Sequence, residues 1–370
     1  MATNPLLELR ALGQSVWLDD LHRAMLEDGS LELMIREDGL RGQTSNPAIL
    51  AAAITRRPEY ADALTALLGT GLDALGVYEA LALEDVGRAA DLFRPVYEET
   101  GGRDGYVSIE VSPHLAHDTV GTIAEARRLW RALGRENVMI KIPGTIAGLE
   151  AIRSAISEGI NVNVTLLFSP ERYREVADAY CAGLEDRLAR GERIDRPASV
   201  ASFFLSRIDT LVDRRLDELA RAGQSAARAL RGKSAVACAS RAYEIYCEII
   251  ASGRWQRLQE AGARTQRLLW ASTSTKDPAY SPIKYVEELI AFDTVSTVPQ
   301  ETFEAYKRLG RPELRLEQGL AEASDVREAL EHLGIDLEDV AAQLEKEGVR
   351  KFIEPFDGLQ AWLEKRRREH

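Results

Sequence analysis

The sequence predicts an α/β fold, a closed (β/α)8 TIM barrel with extra helices. Eight short segments are rich in β-branched or alternating residues, and longer stretches with helical spacing of apolar residues separate them. Regular alternation of strands and helices is typical of a parallel sheet, and eight such units close into a barrel. The predicted strands are Ser15 to Asp19, Gly39 to Asn46, Tyr106 to Val111, Asn137 to Ile142, Ile160 to Leu166, Ala198 to Phe204, Arg267 to Ser272 and Asp293 to Val298.

The connections between the predicted strands follow the same plan. Between the fourth and fifth strands, Leu149, Ile152 and Ile156 fall on one helical face, and Gly159 ends that helix before the next strand. The gaps after the second and sixth strands are much longer than the others. We therefore expect two or three helices, instead of one, in each of these two gaps.

The chain continues beyond the eighth strand with charged, amphipathic segments. Val326, Leu330 and Leu333 show the spacing of one helical face, and no low-complexity linker separates this region from the strands. We therefore expect one barrel domain over residues 1–370, in which residues 300–370 form a helical extension packed on the barrel.

Composition and charge argue against several classes of function. The chain has 370 residues, of which 45% are hydrophobic, so it can bury a large core. Its net charge of −12 opposes nonspecific binding to nucleic acid or to an anionic membrane surface. No signal sequence and no stretch of about 18 uncharged apolar residues occurs, so we expect a cytoplasmic protein. Cys181, Cys238 and Cys247 form neither a CxxC pair nor an even set, so reduced thiols are expected.

Lys141 is the only charged residue in the apolar run from Val138 to Ile142. Burial disfavours the protonated form of an amine, and the free amine is the nucleophile that a Schiff-base enzyme requires. The alternative, judged from this segment alone, is a lysine at a sheet edge or one whose side chain reaches out to water. The other strands help to decide between these two interpretations.

Polar residues alternate with apolar ones along several of the predicted strands. Successive side chains point to opposite faces, and only one face lines a barrel interior, so the polar residues near the strand ends should converge at the C-terminal mouth. The alternative is a buried network of ion pairs and hydrogen bonds that satisfies only its own members. Such a network is common for one pair and less favoured for five residues. The five are Asp19, Glu110, Lys141, Asn163 and Thr165.

The segments around these residues resemble those of the transaldolase family. The resemblance extends from about Ser15 to Phe303, and its motifs are specific as a set, although each alone is weak. The matching segments are Val16-Trp17-Leu18-Asp19, Thr44-Ser45-Asn46-Pro47, Val107-Ser108-Ile109-Glu110-Val111, Ile140-Lys141-Ile142-Pro143, Gly159 to Ser169, Ser202 to Arg207 and Trp270-Ala271-Ser272-Thr273.

The resemblance implies a transferase of the non-oxidative pentose phosphate pathway. Such an enzyme moves a dihydroxyacetone unit from sedoheptulose 7-phosphate or fructose 6-phosphate to glyceraldehyde 3-phosphate or erythrose 4-phosphate. It implies that Lys141 forms the Schiff base, that Asp19 accepts the C4 hydroxyl proton, and that Glu110 acts through a water molecule with help from Thr165. The implied substrate-binding residues are Thr44, Asn46, Asn163, Ser202, Phe204, Arg207 and Ser272.

After cleavage, the resemblance implies that the dihydroxyacetone unit stays on Lys141 as an enamine. Two positions bear on whether this unit is transferred to an acceptor or released. In the related fructose-6-phosphate aldolases, the position matching Glu110 is commonly glutamine and the position matching Phe204 is commonly tyrosine. A tyrosine hydroxyl would place a proton donor near the intermediate. Both residues of this chain match the transferase, and this distinction rests on the resemblance alone.

The phosphate-binding residues are where the chain departs from the family pattern. Arg207 is the best candidate, because a guanidinium matches phosphate oxygens; the alternative is a surface pair with Asp209 or Asp213. The resemblance implies a second arginine after the seventh strand, but this chain has Ser274 there. Our hypothesis is that Lys276 supplies the missing charge.

A metal site is a weaker interpretation. His114 and His117 flank a short loop, but ligands on one turn without a distant partner are more typical of a solvated loop. A Schiff-base aldol reaction needs no metal and no cofactor, so we expect neither.

Two other functions stay open at this point: a fructose-6-phosphate aldolase-like lyase that releases free dihydroxyacetone, and a non-catalytic barrel that binds sugar phosphates. The expected partners are small-molecule sugar phosphates, with no nucleic acid and no membrane. A homo-oligomer is possible on this sequence.

Overall fold

The computed structural model describes residues 4–370 and contains a closed barrel of eight parallel strands in sequence order, with β1 paired to β8. The predicted (β/α)8 TIM barrel is confirmed. The first three residues of the predicted domain lie outside the described residues. The strands are β1 (Gln14–Asp19), β2 (Gly42–Thr44), β3 (Tyr106–Glu110), β4 (Val138–Pro143), β5 (Val162–Leu167), β6 (Ser199–Phe204), β7 (Arg267–Ala271) and β8 (Thr294–Val298).

Helices surround this barrel, and short 3₁₀ turns occur at Pro58–Tyr60, Pro113–Leu115, Ser225–Leu230 and Glu317–Gly319. The α-helices are α1 (Pro5–Ala11), α2 (Arg23–Glu27), α3 (Ser30–Glu37), α4 (Pro47–Arg56), α5 (Ala61–Leu68), α6 (Ala74–Glu99), α7 (Thr119–Leu133), α8 (Ile146–Ser157), α9 (Pro170–Ala189), α10 (Ser206–Arg221), α11 (Ser234–Ile250), α12 (Gly253–Glu260), α13 (Lys284–Glu288), α14 (Gln300–Leu309), α15 (Leu320–His332) and α16 (Leu337–Glu369).

Capping residues fix where three of the helices begin at the C-terminal mouth. Asn46, Thr145 and Ser169 have extended backbones, and the side chain of each accepts a hydrogen bond from a backbone N–H in the first turn of α4, α8 and α9. Pro47 and Pro170 occupy the first position of their helices, where the missing N–H costs nothing. The strand ends at the mouth are therefore followed at once by rigid helices.

Six strands match their predicted bounds to within one residue at each end, whereas β2 and β5 differ by more. β2 is shorter than the predicted run because Asn46 already caps α4, while Gly39 has a φ of 70° and belongs to the preceding turn. β5 carries a register shift between Val164 and Leu167, and Leu166 has a φ of 61°. β5 therefore carries a β-bulge near its C-terminal end.

The barrel interior is filled by side chains, as the strand alternation predicts. Trp17 is fully buried and its Nε1 donates to Asp104 Oδ1 at 3.2 Å. Arg267 donates to the same oxygen at 2.7 Å, which neutralises the buried carboxylate. Gly42 faces the indole ring, and a Cβ at this position would lie 2.6 Å from Trp17 Cδ2 and Cε2. The core therefore depends on a position with no side chain in β2.

The two long gaps contain several helices each, as expected: α4 to α6 between β2 and β3, and α10 to α12 between β6 and β7. Helices α14 to α16 follow β8, and α16 contacts α4, α6, α10, β5 and the turn Pro113–Leu115. Across residues 4–370, every helix is too short or too polar to span a membrane.

Gly42→Ala should destabilise the protein by about 1–3 kcal/mol, because the rigid indole of Trp17 must shift in a packed interior. Gly358→Ala is the matched control, since nothing lies within 4 Å of a Cβ there and alanine favours a helix. Urea unfolding of both variants measures the change. An unchanged unfolding midpoint for Gly42→Ala would contradict this account of the core.

Candidate active site

A cavity of about 160 Å³ opens at the C-terminal mouth of the barrel. Nine of the twelve residues predicted for the site line it, and the other three are buried beside it. The lining consists of Asp19, Thr44, Asn46, Lys141, Ser202, Phe204, Arg207, Ala271, Ser272, Thr273, Ser274, Lys276, Thr297, Pro299 and Phe352. Residues from β1, β2, β4, β6, β7 and β8 thus meet in one cavity.

Lys141 lies on β4 with only 4% of its surface exposed. Its Nζ donates to the backbone carbonyl of Ser45 at 3.0 Å. The nearest carboxylate oxygen, Glu110 Oε2, is 3.6 Å away, which is too long for a hydrogen bond but close enough for strong Coulomb attraction. The amine is therefore held in place beside an acid and faces the cavity.

Glu110 is buried at the end of β3, next to Lys141. Burial raises the pKa of Glu110 to about 7, and the attraction of Lys141 only partly opposes this shift. Neither carboxylate oxygen has a hydrogen-bond partner among residues 4–370, and the same holds for the buried hydroxyl of Thr165. This carboxyl group can give or take a proton near neutral pH.

Asp19 ends β1 and is fixed by neighbouring hydroxyl groups. Thr44 Oγ1 donates to Asp19 Oδ1 at 2.8 Å and lies 2.9 Å from Thr297 Oγ1. Burial raises the pKa of Asp19, while Lys141 and the hydrogen bond from Thr44 lower it. Asp19 is thus a second carboxyl group with a specified orientation at the cavity.

A layer of hydrogen bonds supports the floor of the cavity. Asn163 donates from Nδ2 to Ser108 Oγ at 3.0 Å, and its Oδ1 accepts from Ser202 Oγ at 2.6 Å. This arrangement joins β3, β5 and β6 and leaves Asn163 fully buried. Asn46 lines the cavity while its Oδ1 caps α4, so its Nδ2 remains to bind a ligand.

Arg207 does not form the predicted alternative surface pair. Asp209 accepts from Lys284 and Tyr285 instead, and Asp213 accepts from Tyr280. The buried Nη1 of Arg207 has no hydrogen-bond partner among residues 4–370.

The loop after β7 brings further polar groups to the same side of the cavity. Ser272 has a φ of 53°, and its carbonyl accepts from the backbone N–H of Ser206, the first residue of α10. Lys276 Nζ donates to Ser274 Oγ at 2.6 Å. The left-handed backbone at Ser272 therefore ties this loop to the start of the helix that carries Arg207.

Six of the fifteen lining residues were not predicted for the site, namely Ala271, Thr273, Ser274, Thr297, Pro299 and Phe352, and Ser45 adds a further contact through its backbone. Thr297 shares the inward face of β8, so strand alternation could have identified it. The carbonyl of Ser45 binds Lys141, and Phe352 reaches the cavity from α16. The sequence gives no sign of either contact. Every residue has a backbone carbonyl, so residue type does not identify the one that binds Lys141, and Phe352 has the pattern of an ordinary apolar position in a helix.

The two histidines of the loop after β3 do not meet at a metal site. His114 Nε2 lies 2.7 Å from Asp357 Oδ1 of α16. Within the described residues, no group of three or more histidine, cysteine, aspartate or glutamate side chains could hold a metal ion.

Glu110→Gln should stabilise the protein at pH 8 by about 1–3 kcal/mol, and the gain should shrink at pH 5. The folded state holds the Glu110 proton up to about pH 7, whereas a glutamate in the unfolded chain loses its proton near pH 4.5. Folding therefore loses stability as the pH rises through this range, and glutamine removes that cost. Urea unfolding at both pH values tests this, with Glu260→Gln as the exposed control. The same difference at pH 5 and pH 8 would contradict it.

Comparisons with known proteins agree with this geometry. The family described as "Transaldolase/Fructose-6-phosphate aldolase" matches residues 16–363. Proteins named transaldolase from Trichodesmium erythraeum and Acidothermus cellulolyticus are 49% and 47% identical to this chain; the alignments cover 99% of the chain in both cases, and 98% and 99% of the relatives. A transaldolase from Thiobacillus denitrificans is 46% identical over 96% of the chain and 98% of its own length. The chain therefore belongs to the transaldolase/fructose-6-phosphate aldolase family.

Proposed function

We propose that this protein is a transaldolase that transfers a dihydroxyacetone unit between sugar phosphates through a Schiff base on Lys141. The observation that carries the proposal is a buried amine at the cavity, 3.6 Å from a carboxyl group whose pKa is raised to about 7. The donor is sedoheptulose 7-phosphate or fructose 6-phosphate, and the acceptor is glyceraldehyde 3-phosphate or erythrose 4-phosphate. This is a reaction of the non-oxidative pentose phosphate pathway.

Schiff-base formation uses Lys141 and Glu110. The free amine attacks C2 of the ketose, and a net proton transfer from the attacking nitrogen to the carbonyl oxygen, relayed by Glu110 and its water molecule, gives a neutral carbinolamine. Glu110, acting through a water molecule with help from Thr165, then protonates this hydroxyl so that it leaves as water and an iminium forms. A carboxyl group with a pKa of about 7 is suited to both proton transfers.

Carbon–carbon cleavage uses Asp19. Its carboxylate accepts the proton of the C4 hydroxyl, the C3–C4 bond breaks, and the bonding electrons move into the iminium to give an enamine. The aldose phosphate leaves with C4 as its aldehyde carbon. An acceptor aldehyde then enters, the enamine carbon attacks it, and Asp19 returns the proton to the new hydroxyl group. Hydrolysis of the resulting iminium releases the product and Lys141. Asn46 and Asn163 bind hydroxyl groups of the three-carbon unit.

Transfer is favoured over release because the residue at position 204 brings no proton donor to the enamine. Phe204 lines the cavity with an apolar ring, and the position carries no phenolic hydroxyl. A protonated enamine would hydrolyse to free dihydroxyacetone instead of waiting for an acceptor. The aldolase alternative is therefore disfavoured by the same residue that the family resemblance singled out.

The phosphate binds where Arg207, Ser272 and Lys276 line one side of the cavity. The N-terminus of α10 begins at Ser206, so its dipole also favours an anion there. Lys276 supplies the second positive charge, from a different position than the second arginine of the family pattern.

The proposal also includes the domain organisation of the chain. Residues 1–370 act as one barrel domain, and residues 300–370 form an extension packed on it. The cytoplasmic location and a homo-oligomeric state stay predictions.

Borohydride added with fructose 6-phosphate, in the absence of an acceptor, should reduce the iminium and leave a dihydroxyacetone-derived adduct on the peptide that contains Lys141. Peptide mass mapping locates the adduct, and Lys141→Met is the control that should carry none. No adduct with either fructose 6-phosphate or sedoheptulose 7-phosphate would exclude the Schiff-base mechanism. Turnover that does not depend on an added acceptor aldehyde would indicate a lyase instead of a transferase.

Lys276→Ala should raise the KM for fructose 6-phosphate by about 5- to 30-fold with little change in kcat, because the variant loses one charged phosphate ligand. Steady-state kinetics measures both constants. Lys365→Ala, at an exposed lysine near the end of α16, is the matched control for loss of a positive charge. A near-normal KM for Lys276→Ala would rule out this phosphate-binding role.

A further inference from the structure

Helix α16 lies across the C-terminal mouth of the barrel and is fixed near both ends of its path. Ser169 Oγ, after β5, donates to the Glu338 carboxylate at 2.7 and 2.8 Å. On the side of β3, His114 Nε2 lies within hydrogen-bond distance of Asp357 Oδ1, at 2.7 Å. These contacts hold the middle of α16 over the cavity.

The middle of α16 approaches the active site closely. Gly348 is buried, and a Cβ there would lie 2.9 Å from Leu166 Cδ2 and 3.5 Å from Arg207 Nη1. One turn further along, Phe352 is 4% exposed and lines the cavity. A small residue at position 348 therefore lets the helix place a phenyl ring beside Arg207.

The guanidinium of Arg207 lies over two aromatic rings. Its Cζ is 5.2 Å from the ring centroid of Phe204 on β6 and 5.8 Å from that of Phe352 on α16. Both distances are within the range of cation–π attraction. Burial lowers the pKa of Arg207, and the nearby Asp19 carboxylate opposes this shift. The rings thus stabilise a buried cation whose Nη1 bonds to no protein group among residues 4–370.

Contact with aromatic rings, instead of with a carboxylate, affects how Arg207 can bind a ligand. A carboxylate partner would occupy the N–H groups of the guanidinium, which are the groups that bind phosphate oxygens. Aromatic rings contact the charge through their faces and form no hydrogen bond with these donors. Arg207 can therefore be held in place while its donors stay available to an anion.

We infer that Phe352 is a positioning residue for phosphate recognition, which holds Arg207 together with Phe204 and makes the C-terminal helix part of the active site. The inference rests on the proposed function in taking a sugar phosphate as the ligand of Arg207. Phe352 itself touches no reacting atom, and its effect on catalysis passes through Arg207.

The test compares variants that remove the ring with one that keeps it. Phe352→Met and Phe352→Leu retain an apolar side chain of similar size, and Phe352→Tyr retains an aromatic face. Binding of inorganic phosphate to the full-length protein is measured by calorimetry, and KM and kcat are measured with fructose 6-phosphate. Methionine and leucine should weaken phosphate binding and raise KM by about 3- to 20-fold, with kcat within about twofold; tyrosine should remain close to the wild type.

The control is Phe356→Leu on the same helix, since Phe356 packs against Tyr78 and His114 and not against Arg207. It should bind phosphate like the wild type. In an Arg207→Ala background, Phe352→Met should cause no further loss, because the residue through which it acts is absent.

Three outcomes would overturn the inference: unchanged phosphate binding in Phe352→Met, an equal loss in Phe356→Leu, or an undiminished effect of Phe352→Met without Arg207. A protein that binds phosphate in the expected pattern but transfers no dihydroxyacetone would sink the proposed function and leave this inference standing.

Discussion

The site depends on one constraint: an amine and a carboxyl group must share a nearly water-free space inside the barrel. Lys141 and Glu110 lie on neighbouring strands at paired register positions, 3.6 Å apart at their nearest charged atoms. Removing either group from water is costly, and their attraction repays only part of that cost. The raised pKa of Glu110 is the visible result. Above about pH 7 the buried carboxylate costs stability, and we explain the position of the pair by the proton transfers proposed for it.

The rest of the closed barrel holds the pair rigidly, and the stability of the barrel offsets the cost of burying the pair. Trp17 and the Asp104–Arg267 pair fill the interior below, and the hydrogen bonds of Asn163 join three strands beneath the cavity. Helix N-caps at Asn46 and Thr145 restrict the backbone conformation at the mouth. Lys141 can therefore be oriented by a single backbone carbonyl, that of Ser45, without a counter-ion in hydrogen-bond contact.

Much of this arrangement could be predicted from the sequence, for a physical reason. A barrel converts strand alternation directly into an inward and an outward face, so the isolated charge of Lys141 and the polar positions of β3 and β5 already indicated an interior site. The alternation of polar and apolar residues does not predict where a strand departs from regular geometry, and the bulge at Leu166 is such a departure. Phe352 lay beyond prediction because its neighbours are set by how α16 crosses the mouth. The dual use of Asn46, as a cap and as a cavity residue, also appears only in three dimensions.

The side of the cavity at which we propose that phosphate binds combines two cations of different character. Arg207 is partly buried, always charged and held by aromatic faces, so its fork of donors is oriented before a ligand arrives. Lys276 is an exposed point charge on a flexible stem, and its polar neighbour is the Ser274 hydroxyl. A rigid fork selects the geometry of a phosphate, whereas a mobile ammonium adapts to its position. On the proposed function, donor ketoses and acceptor aldoses of different length bring their phosphates to this site. We propose that a fixed arginine with an adjustable lysine accommodates phosphates at different distances from Lys141.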